Sequence, residues 1–211
     1  VQTTSKGLAG ICYFKTDNTS AKNEGSLMYR TININDNQGE ETICNGSHLE
    51  VCVLLFDTAS NPHIFVASSG PSDQVLIHFF KNTASFWEQD TIMHFYNEGG
   101  LHINELSADN GPNNSFHLLA LITRSNPDSD DYYDCFRGAS LYHVSNATGE
   151  WQKERIQVFD MVWTLDEYSK MLNRQDIEID KQGFVHIVFG QQVNAASRLC
   201  YSTNKSGNWV T

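Results

Sequence analysis

The chain has 211 residues, 40% of them hydrophobic and 11% aromatic, enough apolar side chain to bury a substantial core; 14 Lys and Arg against 25 Asp and Glu leave a net charge of −11. The basic residues are scattered and form no stripe that could follow a phosphate backbone, so nucleic acid is excluded as a partner. The densest apolar runs, Val51 to Phe56 and Leu118 to Ile122, fall far short of the roughly 18–20 residues a membrane-spanning helix needs.

In chain order, the first unit covers about 1–47 and opens at Val1, part-way through an innermost strand, with no Met or charged leader, as a mature product or excised piece would. It continues through the apolar strand Ile11-Cys12-Tyr13-Phe14 to the phrase Leu27-Met28-Tyr29. The second unit, about 48–99, has an alternating strand over 49–56, a turn from Asp57 to Pro62, the strand His63-Ile64-Phe65-Val66 and the phrase Leu76-Ile77-His78, with Trp87 downstream. The third, about 100–173, repeats this with His117-Leu118-Leu119-Ala120, Leu141-Tyr142-His143 and Trp151. It ends in a helical insertion over 160–173, where Thr164 and Glu167 have the spacing of a capping box. The fourth, about 174–211, has a strand over 176–179, the turn Asp180-Lys181-Gln182-Gly183, the strand His186-Ile187-Val188-Phe189, the phrase Leu199-Cys200-Tyr201 and Trp209, and stops inside its outermost strand.

The recurring phrases begin 49, 65 and 58 residues apart. Each unit reads strand, Gly or Asn turn, strand, variable loop, strand, Gly turn, strand, which is one four-stranded blade. The predicted fold is therefore all-β, a β-propeller of about four blades that forms part of a larger ring. The partner for the open strands is the rest of a longer propeller chain or another subunit.

The Asp turn, the His-Ile strand, the Leu-x-Tyr phrase and Ser-x-Asn-x-x-Gly-x-Trp together resemble the sialidase-like propellers built from Asp-box, or bacterial neuraminidase, repeats. The resemblance covers nearly the whole chain. The box Asp is replaced by Asn204 in the fourth unit and Asn82 in the second, and Ala147 stands at that place in the third. The resemblance implies a fold shared by sialidases, polysaccharide lyases and non-catalytic binding propellers. A sialidase-like hydrolase would use three Arg to clamp a carboxylate, a Tyr nucleophile activated by a Glu, and an Asp as acid and base. Arg124, Arg137 and Arg198 fall on loops of the expected active face, and Tyr132 and Tyr133 lie between the first two. A lyase would instead use His and Tyr as base and acid, with an Arg or metal against a uronate.

Loops between the second and third strands are expected to carry function, and 123–140 is the most chemically loaded. Arg124, Tyr132, Tyr133, Arg137 and Arg198 are the candidate ligand-binding residues. Asp128, Asp130, Asp131 and Asp134 supply oxygens suited to Ca2+, although the spacing is not that of an EF-hand, and a solvated acidic loop is the alternative. Otherwise no cofactor is expected. Trp87, Trp151 and Trp209 read as hairpin packing, and His63, His117 and His186 as satisfied structural histidines, because each set recurs at one position.

The five cysteines have no zinc spacing; Cys44 and Cys52 could bridge across a local turn, or all five could be buried thiols. Sequons at Asn18, Asn45, Asn113, Asn146 and Asn204 give modest support to secretion. The expected function is an extracellular recognition or scaffold module with a glycan or protein ligand. A carbohydrate-active enzyme, either a sialidase-like glycoside hydrolase or a polysaccharide lyase, is the alternative.

Overall fold

A computed structural model describes residues 1–4, 7, 9–16, 24–32, 39–47, 49–69, 73–81, 85–96, 101–125, 136–163, 175–193 and 196–211. They form four antiparallel sheets in which every strand pairs with its neighbour in sequence. The first sheet contains β1 (Gln2–Thr3), β2 (Ala9–Thr16), β3 (Glu24–Ile32) and β4 (Glu40–Ser47), and the second β5 (Leu49–Phe56), β6 (Pro62–Ser69), β7 (Asp73–Lys81) and β8 (Trp87–Tyr96). The third contains β9 (Leu101–Asn110), β10 (Phe116–Ser125), β11 (Phe136–Ser145) and β12 (Gln152–Trp163); the fourth contains β13 (Asp176–Ile179), β14 (Val185–Val193) and β15 (Ala196–Thr203). An isolated antiparallel bridge pairs Val210 with Thr203 of β15. The fold is all-β and blade-like, as the strand-turn repeat predicts.

No α-helix occurs among the described residues, and one 3-10 turn spans Pro112–Asn114. The segment expected to be helical over 160–173 is corrected at its start. Val162 and Trp163 pair with Arg137 and Phe136, so β12 continues as strand through 163. Thr164 and the remainder lie outside the described residues.

The chain divides into two compact units, Val1–Tyr96 and Asn97–Thr211. In the first, Leu27 and Tyr29 of β3 pack against Leu54, Phe56, Ile64, Val66 and Phe79 of the second sheet. Gly10 permits this close approach: a Cβ there would stand 2.6 Å from the Phe56 ring and 2.9 Å from Leu54. Trp87 lies edge-on to Tyr29 and donates Nε1 to Glu41 Oε2 at 2.9 Å, while Lys81 lies over both rings and pairs with the same carboxylate at 2.8 Å. Trp87 is thus a structural clamp between the sheets.

In the second unit, Leu119, Leu121, Ala139, Leu141 and Phe159 of the third sheet pack against Ile177, Val185, Ile187 and Phe189 of the fourth. Trp209 is packed against this cluster. The first Leu of the recurring phrase is fully buried at Leu27, Leu76 and Leu141, whereas Leu199 of β15 is 74% exposed.

The turns follow side-chain chemistry. Asp57 Oδ1 accepts from Asn61 N at 2.7 Å, and Asp180 Oδ1 accepts from Gln182 N and Phe184 N, both at 2.9 Å. Asn204 Oδ1 accepts from Val185 N at 2.8 Å, and Asn146 Oδ1 accepts from Phe116 N at 2.7 Å. The residue equivalent to Asn204 in the third sheet is therefore Asn146, which corrects the assignment to Ala147. Both turns close with a Gly at positive φ, Gly149 and Gly207, whose N–H donates to the Asn carbonyl at 2.9 Å.

Candidate functional site

Much of the sequence-predicted site falls outside what the structure describes. Asp128, Asp130, Asp131, Tyr132, Tyr133 and Asp134 lie outside the described residues. The flanking strands run further than the loop reading over 123–140 expects, so that Arg124 belongs to β10 and Arg137 to β11. A register shift between Thr123 and Ser125 sets the two arginines on neighbouring strands beside Gly138. At Gly138, with φ +96°, a Cβ would stand 2.9 Å from Phe159 O, so this bulge admits only glycine. Arg198 belongs to another sheet, in β15 opposite Gln191, and is exposed. Among the described residues no group of three or more His, Cys, Asp and Glu is placed to hold a metal ion.

A polar row absent from the sequence reading lies along β9. Glu105, Ser107 and Asp109 alternate along the strand and stand opposite Leu121, Leu119 and His117 of β10. Directly paired residues share a face. The row therefore lies on the face of Leu119 and Leu121, which packs against the fourth sheet. β9 is an edge strand of its sheet, with β13 packed beside it. Asp109 Oδ2 accepts from Ile179 N of β13 at 2.7 Å, and Gln175, just before β13, donates Nε2 to Leu119 O at 3.5 Å.

Three oxygens in this region, Glu105 Oε1, Ser107 Oγ and Gln175 Oε1, are buried without a hydrogen-bond partner among the described residues. Such groups are uncommon in folded proteins and mark strain, a catalytic role, an ordered water or a ligand. Burial beside the apolar cluster pushes the Glu105 carboxyl up to about 8, so that it keeps its proton at neutral pH. The row thus combines oxygen acceptors with a carboxylic acid able to donate.

Three histidine clusters among the described residues are structural and repeat from sheet to sheet. His63 Nδ1 meets His78 Nε2 at 2.9 Å, with Asp57 Oδ2 3.6 Å from His63 Nε2. His117 Nδ1 meets His143 Nε2 at 3.0 Å, with Ser115 Oγ 3.2 Å from His117 Nε2. His186 Nδ1 meets the Tyr201 hydroxyl, and its Nε2 lies 3.2 Å from Asp180 Oδ2. The third residue of the recurring phrase is therefore the hydrogen-bond partner of the strand His, which explains why both recur. Burial drives His78 down to about 3, helped by the neighbouring His63, and His143 down to about 4, helped by His117. Both rings are neutral at pH 7.

Alternating antiparallel sheets with these turns define a propeller-type fold. No family model matches the chain, and no curated protein matches it in sequence. Among solved structures, an α-L-arabinanase from Penicillium chrysogenum, complexed with arabinobiose, superposes with a TM-score of 0.60 at 12% identity. That match covers 99% of this chain and 60% of the arabinanase, so the chain spans less than two thirds of that protein's length. It supports the β-propeller fold. A fucose lectin from Kordia zhangzhouensis, in complex with methyl-fucoside, matches at TM-score 0.43 and 12% identity over 72% of this chain and 94% of the lectin. A polysaccharide lyase matches at 0.44 and 12% over 96% of this chain and 56% of that one.

Proposed function

We propose that this chain is a carbohydrate-recognising region of an extracellular β-propeller and that the β9 row contributes to the ligand site. The observation that carries the reading is the set of buried oxygens on Glu105, Ser107 and Gln175 that lack a partner among the described residues. Sugar hydroxyls would donate to those acceptors, and the protonated Glu105 would donate in return. The likeness of the fold to an arabinanase complexed with arabinobiose makes pentose oligosaccharides the first ligands to test. The finer kinship with sialidase-like propellers belongs to this proposal too, supported by the side-chain-closed turns at Asn146 and Asn204.

One observation favours a second reading, that of a carbohydrate-active enzyme. A carboxyl held near pH 8 is what a general acid for glycosidic-bond cleavage requires. Calorimetry with arabino-oligosaccharides and fucosides, run beside a reducing-sugar release assay, separates the two. Saturable binding without turnover, weakened at least tenfold by Glu105→Gln and by Gln175→Ala, supports the recognition module. Turnover abolished by Glu105→Gln establishes the enzyme, and binding unaffected by either substitution removes β9 from the site.

A further inference from the structure

Two cysteines 40 positions apart in sequence meet where the first two sheets pack. Cys12 of β2 and Cys52 of β5 share a hydrogen bond with their sulfurs 3.3 Å apart, and both side chains are half-buried. Cys44 of β4, which the sequence reading offers as one possible bridge to Cys52, packs against the same cluster but stands opposite Leu27 in the β3–β4 ladder. Gly10, two residues before Cys12 and on the same face of β2, lets Phe56 and Leu54 press onto that strand. The approach of β2 to β5 is therefore built into both strands.

We propose that Cys12 and Cys52 are a dithiol site that oxidises to a disulfide and staples the first sheet to the second. A disulfide requires the sulfurs to close by roughly 1.3 Å from their present separation. The two thiols are also differentiated. The Cys52 thiol, hydrogen-bonded to the Cys12 sulfur, holds Cys12 below the ordinary thiol range, while that pairing and burial push Cys52 up. Cys12 is then the attacking thiolate and Cys52 the resolving thiol.

The oxidant is a low-molecular-weight disulfide. Cys12 loses its proton and attacks one sulfur of that disulfide, forming a mixed disulfide and releasing one small thiolate. Cys52 then loses its proton and attacks the Cys12 sulfur, expelling the second small thiolate. Each released thiolate takes up a proton, so one disulfide is consumed and one Cys12–Cys52 bond and two small thiols are formed. The protein loses two hydrogens, and the two electrons reside on the released thiols.

The test uses the full 211-residue chain, reduced and then incubated in the folded state with excess oxidised glutathione, acid-quenched, alkylated in denaturant and mapped by proteolysis under non-reducing conditions. The expected result is a cross-linked peptide pair containing Cys12 and Cys52, with Cys44 alkylated. The cross-link persists in Cys44→Ser and disappears in Cys12→Ser and Cys52→Ser. The melting temperature of the oxidised parent should fall by on the order of 5–10 °C on reduction. Full alkylation of Cys12 and Cys52 after incubation, or a cross-link from Cys52 to Cys44, Cys135 or Cys200, overturns the assignment. Because the parent map needs no variant, a Ser variant that fails to fold leaves the test intact.

Discussion

Replacing Glu105 by Gln should stabilise the protein in alkali and do nothing in mild acid. The native carboxyl titrates at about 8 against an ordinary value of 4.5, so between these limits the folded state holds a proton that the unfolded chain has released. Stability therefore falls with rising pH across that window, at up to about 1.4 kcal/mol per pH unit, and is flat on either side. The fully shielded limit is about 5 kcal/mol at pH 8. Glu105 is only half-buried, and solvent screening brings the working figure to about 2 kcal/mol. Gln has the same shape and no charge, so the variant should gain about 2 kcal/mol at pH 8 and nearly nothing at pH 5. Urea unfolding of both proteins at pH 5, 6.5 and 8 measures this directly. A difference that stays constant across the three pH values would refute the burial of a protonated carboxyl, and with it the donor role assigned to Glu105.

The buried histidines set the opposite limb of the pH profile. His78 and His143 titrate at about 3 and about 4, below the ordinary 6.5, so the unfolded chain takes up protons first; their contribution is complete above pH 6.5 and drains away as the pH falls toward those values. His143→Gln keeps a side-chain amide for His117 without a titrating ring, and should move the acid-unfolding midpoint down by about half a pH unit; an unchanged midpoint would argue against a buried, neutral His143. Asn204→Ala removes the acceptor of Val185 N and should cost about 1–2 kcal/mol in denaturant unfolding, most of it restored by Asn204→Asp. An Ala variant as stable as the parent would show that this turn closes without its side chain.

The strands were legible because alternation and turn chemistry are local. The apolar strand of 49–56, the Asp turns at Asp57 and Asp180 and the recurring Leu-x-Tyr and Leu-x-His phrases all correspond to observed elements. The β9 row is not legible in the sequence because Glu105, Ser107 and Asp109 at alternate positions look like the wet face of an edge strand. Only β13 packed alongside turns that face inward. The offset of Asn146 from Gly149 and Trp151 equals that of Asn204 from Gly207 and Trp209, so comparing the two turns directly would have identified it. The proximity of Cys12 and Cys52 arises from sheet-on-sheet packing across 40 positions, which no local pattern encodes.

The repeated imidazole contacts also bear on how the hairpins assemble. In β6–β7, β10–β11 and β14–β15, a ring nitrogen meets its partner across one ladder, at the end far from the connecting loop. Slippage of either strand by a single residue would turn one member of each pair to the opposite side of the sheet, leaving a polar ring among aliphatic side chains with nothing to bond. Each hairpin thus carries its own check on correct alignment, independent of the sheets around it. A ribbon paired out of step would be penalised before neighbouring layers stack upon it, which matters most where many similar strands in one chain compete for the same partners.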